Sequence, residues 1–114
     1  MPLEIQQKEV APGTVAILLE GSVMRGPEGE RIEAVLNDLL GKGYRNIIFD
    51  LSGVKRIDST GIGRFIYSLN KVGERGGKLR MAGAEGYVRE CFRVTRLDTV
   101  FRFCATLEEA SASL

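Results

Sequence analysis

Residues 45–53 read RNIIFDLSG, a nearly unbroken apolar run closed by Asp50 and Gly53. A strand with no polar face has nothing to turn towards water, so this run predicts a strand buried on both sides. That burial requires helices packed over a largely parallel sheet. The rest of the chain supplies those helices. Upstream, VAPGTVAILLEG from Val10 to Gly21 places a Pro-Gly turn ahead of an apolar, β-branched run, and Leu3 and Ile5 offer a short partner strand, which together predict an antiparallel hairpin. GPEGERIEAVLNDLLGKG then predicts a helix. Pro27 suits its first turn, Glu28 and Glu30 suit the positive end of its dipole, Ile32, Val35, Leu36 and Leu39 recur at helical spacing, and Gly41 reads as its stop.

Ile62, Phe65, Ile66, Leu69 and Val72 define a second helix that ends in GERGG, and KLRMAG follows as a strand. Val88, Cys91, Phe92 and Thr95 line one side of a third helix whose other side carries Arg89, Arg93 and Arg96. TVFRF closes the sheet, and Thr106 three residues before Glu109 marks a capping box for a short fourth helix. The order ββαβαβαβα predicts a single α/β domain over residues 1–114: a mixed, mostly parallel sheet with an N-terminal antiparallel hairpin, packed by about four helices.

Composition removes several classes of function. Sixteen basic and 15 acidic residues leave a formal charge of +1, too little to draw the chain onto nucleic acid or an anionic membrane. Residues 75–104 hold seven Arg or Lys against three acids, the balance of an ordinary solvated face. Cys91 and Cys104 lack a CxxC or histidine companion, and predict buried free thiols in a reducing compartment. Neither a charged-then-apolar leader nor an apolar run of about 18 residues occurs, so the expected location is the cytoplasm.

IDSTGIGR, residues 57–64, stands directly before the second helix. Asp58 and Ser59 are good helix caps, and capping alone accounts for either one. Capping does not account for Gly61 and Gly63, each costing about 0.8–1.0 kcal/mol relative to alanine in a helix interior. Bare backbone at both positions leaves the Ser59 hydroxyl and nearby N–H groups open to another molecule, at the helix end that favours negative charge. Catalysis lacks its parts. The chain contains no histidine, so no Ser-His-Asp or Cys-His relay can form. DSTG is not a Gly-x-Ser-x-Gly elbow, and a nucleotide-binding loop would need a third glycine where Ile66 stands. Asp50 and Asp58 have no third ligand for a metal. The stretch therefore predicts a displayed hydroxyl for another enzyme to modify, in a chain without enzymatic activity or cofactor.

IIFDLSGVKRIDSTGIG closely resembles the signature of the anti-sigma-factor antagonists, the STAS-domain family of bacterial partner switches, and the likeness extends through GERGGKLRMAG to RLDTVF. The resemblance implies that Ser59 is phosphorylated by a cognate anti-sigma factor that is also an ATP-dependent serine kinase, with Thr60 as the second candidate. It implies that the unphosphorylated chain binds that kinase and so releases a sigma factor, until phosphate blocks binding and a phosphoserine phosphatase restores it. The partner would meet Asp58, Ser59, Thr60, Gly61, Ile62 and Gly63. Asp58 would orient the hydroxyl, and Gly61 and Gly63 would admit the partner. Relatives also act as scaffold subunits of stress-sensing complexes or as small-molecule and nucleotide-binding modules, which are the alternative expectations.

Overall fold

Thr14–Val23 (β2) and Asn46–Ile57 (β3) pair in parallel at the heart of a five-stranded sheet, with Ile17 opposite Phe49. The computed structural model describes residues 2–114. Glu4–Ala11 (β1) runs antiparallel to β2, while Leu79–Ala82 (β4) and Phe103–Cys104 (β5) continue the sheet in parallel beyond β3, giving the order β1-β2-β3-β4-β5. Helix α1 (Pro27–Gly41) connects β2 to β3, α2 (Ser59–Glu74) connects β3 to β4, and α3 (Gly86–Val94) connects β4 to β5; α4 (Leu107–Ala112) ends the chain. The expected single α/β domain, with its hairpin and four helices, is the observed architecture.

Parallel neighbours joined in sequence order by crossovers of one hand place their helices on one face of the sheet. Accordingly α1, α2 and α3 share one core with Val15, Ile17, Leu19, Ile47, Phe49, Leu51 and Met81. Aromatic rings run through it, from Phe49 to Phe65 at 5.1 Å, Phe65 to Phe92 at 6.0 Å and Phe92 to Phe103 at 5.2 Å. The opposite face is covered by α4, whose Ala110 meets the small surface of Ala16, Ile48 and Ala82. Ile47, Ile48 and Phe49 are fully buried, as the two-sided strand required.

Five expectations change. First, β3 does not close at Asp50 and Gly53. Four of its residues, Asp50 to Gly53, stand against three, Leu18 to Glu20, and a second register shift follows at Val54–Arg56, so the strand passes through two bulges and continues to Ile57. Second, α1 runs through Gly41 and stops at Gly43, whose φ of +96° only glycine adopts cheaply. Tyr44 N–H to Leu39 O at 3.2 Å and Gly43 N–H to Leu40 O at 3.1 Å complete the turn. Third, TVFRF contributes only Phe103 to a two-residue β5, because Leu97–Thr99 forms a 3-10 turn. Fourth, Thr95 is exposed at the end of α3, and Arg89 leaves the solvated side to lie 3.8 Å over the Phe103 ring. Fifth, Ile66 is 37% exposed, outside the buried stripe of α2, and the two free cysteines are half-buried.

Candidate functional site

The bulged end of β3 delivers Asp58 in extended backbone to the head of α2. Its carboxylate holds two elements together: Oδ1 accepts the Gly61 N–H at 2.7 Å, and Oδ2 accepts the Arg25 N–H, from the loop between β2 and α1, at 3.0 Å. Burial pushes the Asp58 carboxyl up, but the backbone N–H groups of Arg25, Gly61 and Thr60 outweigh it and hold the group below the usual carboxylate range. Asp58 is therefore an anionic cap across the working pH range.

Ser59 is the first residue of α2 and is exposed; Thr60 is half-buried. A helix advances about 100° per residue, which puts Ser59, Gly63 and Ile66 within about 60° of one another on the outer side of α2. Gly61, Ile62, Phe65 and Val72 turn inward, and all four are buried. The two motif glycines thus part company. A Cβ on Gly61 would stand 2.0 Å from the Val23 carbonyl oxygen, so its missing side chain serves the seating of α2 against the end of β2. A Cβ on Gly63 would meet nothing within 4 Å. The Ile62 side chain belongs to the main core.

Arg64, buried on the flank of α2 that faces α1, reinforces the same junction. Its Nη1 donates to Glu33 Oε1 at 2.8 Å and its Nη2 to the Gly26 carbonyl at 3.2 Å. The loop 24–26 is thus clamped to α2 twice, by Asp58 and by Arg64. Tyr87, 61% exposed at the start of α3, donates its hydroxyl to the Ile57 carbonyl at 3.3 Å and so stands beside the same strand end. The Cys91 side chain next to it, first as a hydrogen-bond partner and then as a charge, pushes the Tyr87 hydroxyl pKa up.

Of the six motif residues, the structure brings Ser59 and Gly63 to one exposed face, leaves Asp58 and Thr60 at its edge, and takes Gly61 and Ile62 into the interior. Sequence reasoning missed Arg25 and Tyr87, which reach the site from other elements, and Arg64, which ties α2 itself to the 24–26 loop. It also missed Ile66, whose place at helical spacing from Ile62 and Phe65 reads as core. The helical angle that sets Ile66 beside Ser59 was the available signal. Chemically, the arrangement displays one hydroxyl on a rigid helix end next to a fixed carboxylate and exposed apolar surface. Among the described residues no three His, Cys, Asp or Glu side chains gather as a metal ion would need, and no helix is long and apolar enough to cross a membrane.

A family model described as STAS domain matches residues 6–110. A Thermotoga neapolitana protein, named as a candidate anti-sigma factor antagonist homolog, is 32% identical over 76 residues, 67% of this chain and 67% of that protein. The crystal structure of an anti-sigma factor antagonist from Mycobacterium paratuberculosis superposes with a TM-score of 0.84 at 20% identity, covering 97% of this chain and 92% of the other. The Bacillus cell fate determinant SpoIIAA in its phosphorylated form superposes with a TM-score of 0.75 at 23% identity, covering 96% and 98%. At such identities the two superpositions speak for the fold.

Proposed function

The chain belongs to the STAS domain family, and from that membership we propose that it is an anti-sigma factor antagonist working as a phosphorylation-controlled partner switch. The observation that carries this reading is the exposed Ser59 at the capped, clamped head of α2, on one face with Gly63 and Ile66. In its unphosphorylated state this face docks on a cytoplasmic anti-sigma factor with serine kinase activity, and docking frees the sigma factor. Phosphate on Ser59 places a group of about −1.5 to −2 charges in the middle of that contact, adding repulsion and desolvation cost. A phosphoserine phosphatase restores the binding form. Asp58 keeps the geometry constant by spending both carboxylate oxygens on backbone N–H groups. The names of the relatives above support the partner class, and the exposed setting of Ser59 at the head of α2 supports it as the acceptor.

The test is phosphorylation of the purified chain by the serine-kinase anti-sigma factors of the same genome with ATP, followed by peptide mass mapping. Phosphate on Ser59, abolished in Ser59→Ala, is the expected result. Phosphate chiefly on Thr60, or none with any such kinase, overturns the assignment.

A further inference from the structure

β1 is an outer strand of the sheet, 8 residues long, and β2 is its one strand partner. Glu4 and the run Gln6, Gln7, Lys8 and Glu9 are exposed along it, and the side turned away from β2 leaves a row of backbone N–H and C=O groups outside any ladder. We propose that this edge pairs with β1 of a second copy of the chain, antiparallel about a two-fold axis at Gln6, in the register that sets Glu4 against Lys8 of the second copy.

The register follows from where the edge is regular and which face each residue takes. Residues directly opposite in an antiparallel pair share a face of the sheet, so a two-fold axis must centre on a residue and join even positions to even and odd to odd. Glu4, Gln6 and Lys8 stand opposite Glu20, Leu18 and Ala16 of β2, on the face that carries α4, while Ile5 packs on the main core. Pairing cannot begin before Glu4, because α1 already holds Leu3 on both sides: its N–H donates to Glu28 Oε2 at 3.1 Å and its carbonyl accepts from Arg31 Nη1 at 3.0 Å. Beyond Glu9 a bulge breaks the register with β2. Within that window, centring on Gln6 joins Glu4 to Lys8 twice and Ile5 to Gln7 twice, with about four to six backbone hydrogen bonds. Centring on Gln7 sets Ile5 against Glu9 and Glu4 against Val10 at the bulged end. Centring on Ile5 leaves Glu4 against Gln6 and Lys8 outside the pairing. Only the Gln6 centre joins opposite charges.

A single copy also leaves those charges uncompensated. Glu4 stands directly across from Glu20, and like charges so placed repel. Asp50 lines the same groove as both. Lys55 shares a second groove with the two glutamates, and Glu108 shares one with Lys8, yet none of Glu4, Glu20 and Lys8 takes part in an ion pair among the described residues. Lys8 faces the methyl group of Ala16 across the strand pair. The second copy thus brings an ammonium to the facing carboxylates and takes the same in return. Ser59, Gly63 and Ile66 line none of the grooves beside β1, so the paired particle carries two copies of the Ser59 face.

The experiment is sedimentation velocity on the full chain across the micromolar to millimolar range, repeated on Glu4→Lys, Lys8→Glu and the double variant. A reversible dimer is expected for the parent, weakened by added salt. Each single reversal turns two attractive pairs into two like-charge pairs and should raise the dissociation constant about tenfold or more, and the double variant, which restores both pairs with their signs exchanged, should recover the parent's dimer. Thermal scans on dilute protein keep folding apart from docking: Glu4→Lys removes the clash with Glu20, so its melting temperature should not fall even as its dimer weakens. A chain that stays monomeric at millimolar concentration overturns the proposal. So does a dimer that neither single reversal moves, as one built through the exposed Val94 and Val100 would be, or a double variant that fails to recover. No anti-sigma factor enters the measurement, so its outcome is independent of the proposed partner switch.

Discussion

Gly61 and Gly63 look alike in the sequence and do opposite things in the fold. Because a Cβ at Gly61 collides with the Val23 carbonyl at 2.0 Å, Gly61→Ala forces α2 away from β2, at a cost of about 3 kcal/mol for overpacking, offset by about 1 kcal/mol of helix propensity. Its melting temperature should fall by roughly 8 °C on a domain of this size. Gly63→Ala meets open space and should gain up to about 1 kcal/mol of stability. If Gly63 exists to admit a partner, the same substitution weakens docking while it raises the melting temperature, and a binding titration beside a thermal scan separates the two effects. Asp58 yields a second prediction at this scale. Its folded pKa lies below the ordinary 3.8, so its charge contributes stability that is fully present above that value and is lost as pH falls through the lower, folded value. Asp58→Asn keeps the capping shape and removes the charge. Its deficit relative to the parent chain should be largest near neutral pH and should close below about pH 4, as measured by urea titrations across that range.

At the scale of elements, the helix stop is the sharpest test of what the chain encodes locally. Gly41 lies inside α1 with open space around it, whereas Gly43 takes φ +96°. Gly43→Ala should therefore cost about 1–2 kcal/mol, and Gly41→Ala should be neutral or slightly stabilising, which chemical denaturation of the two variants decides. Both glycines stand in one GKG stretch, and a periodic pattern cannot say which of two glycines two residues apart bears the left-handed turn. The same limit explains the other departures. The buried β3 run, the hairpin and the helical faces were legible because each carries a local hydrophobic period. The bulges at Asp50–Gly53 and Val54–Arg56 were not, since they depend on how many residues β2 offers opposite, which no stretch of β3 alone records. For the candidate site, the motif announced Asp58 and Ser59. The clamp from Arg25 and Arg64 was silent, because it arises only when the loop after β2 and the flank of α2 meet across about 35 residues of chain.

On the scale of the whole molecule, the parallel strands β2 and β3 end together, and at their carboxyl ends lie Asp58, the 24–26 loop and the head of α2, where open α/β sheets commonly present their working surface. The core that holds this surface lies behind it: α2 is seated by Ile62, Phe65 and Val72, none of which touches solvent appreciably, and Ser59 hangs outside that packing. A phosphate on Ser59 thus stays hydrated and displaces no core group. It does approach the Asp58 carboxylate, and the nearby Gly61 N–H is already committed to Asp58, so the helix end offers less compensation than a bare terminus would. An exposed phosphate and the half-buried Asp58 carboxylate at short range repel by about 1 kcal/mol in high dielectric, and salt screens that cost. Docking is affected differently. In the proposed contact, which would exclude water, the same phosphate would have to shed hydration against the partner, and a loss of roughly 3 kcal/mol weakens affinity more than a hundredfold. Phosphorylated chain, Ser59→Ala and Ser59→Asp should consequently melt within a few degrees of one another, with the gap narrowing in added salt. Affinity for the anti-sigma factor should instead divide them, Ser59→Ala binding as the parent chain does and the phosphorylated form more than a hundredfold more weakly. Calorimetric melting and binding measurements on the three forms check both halves, and a switch that worked by unfolding would show the two losses moving together.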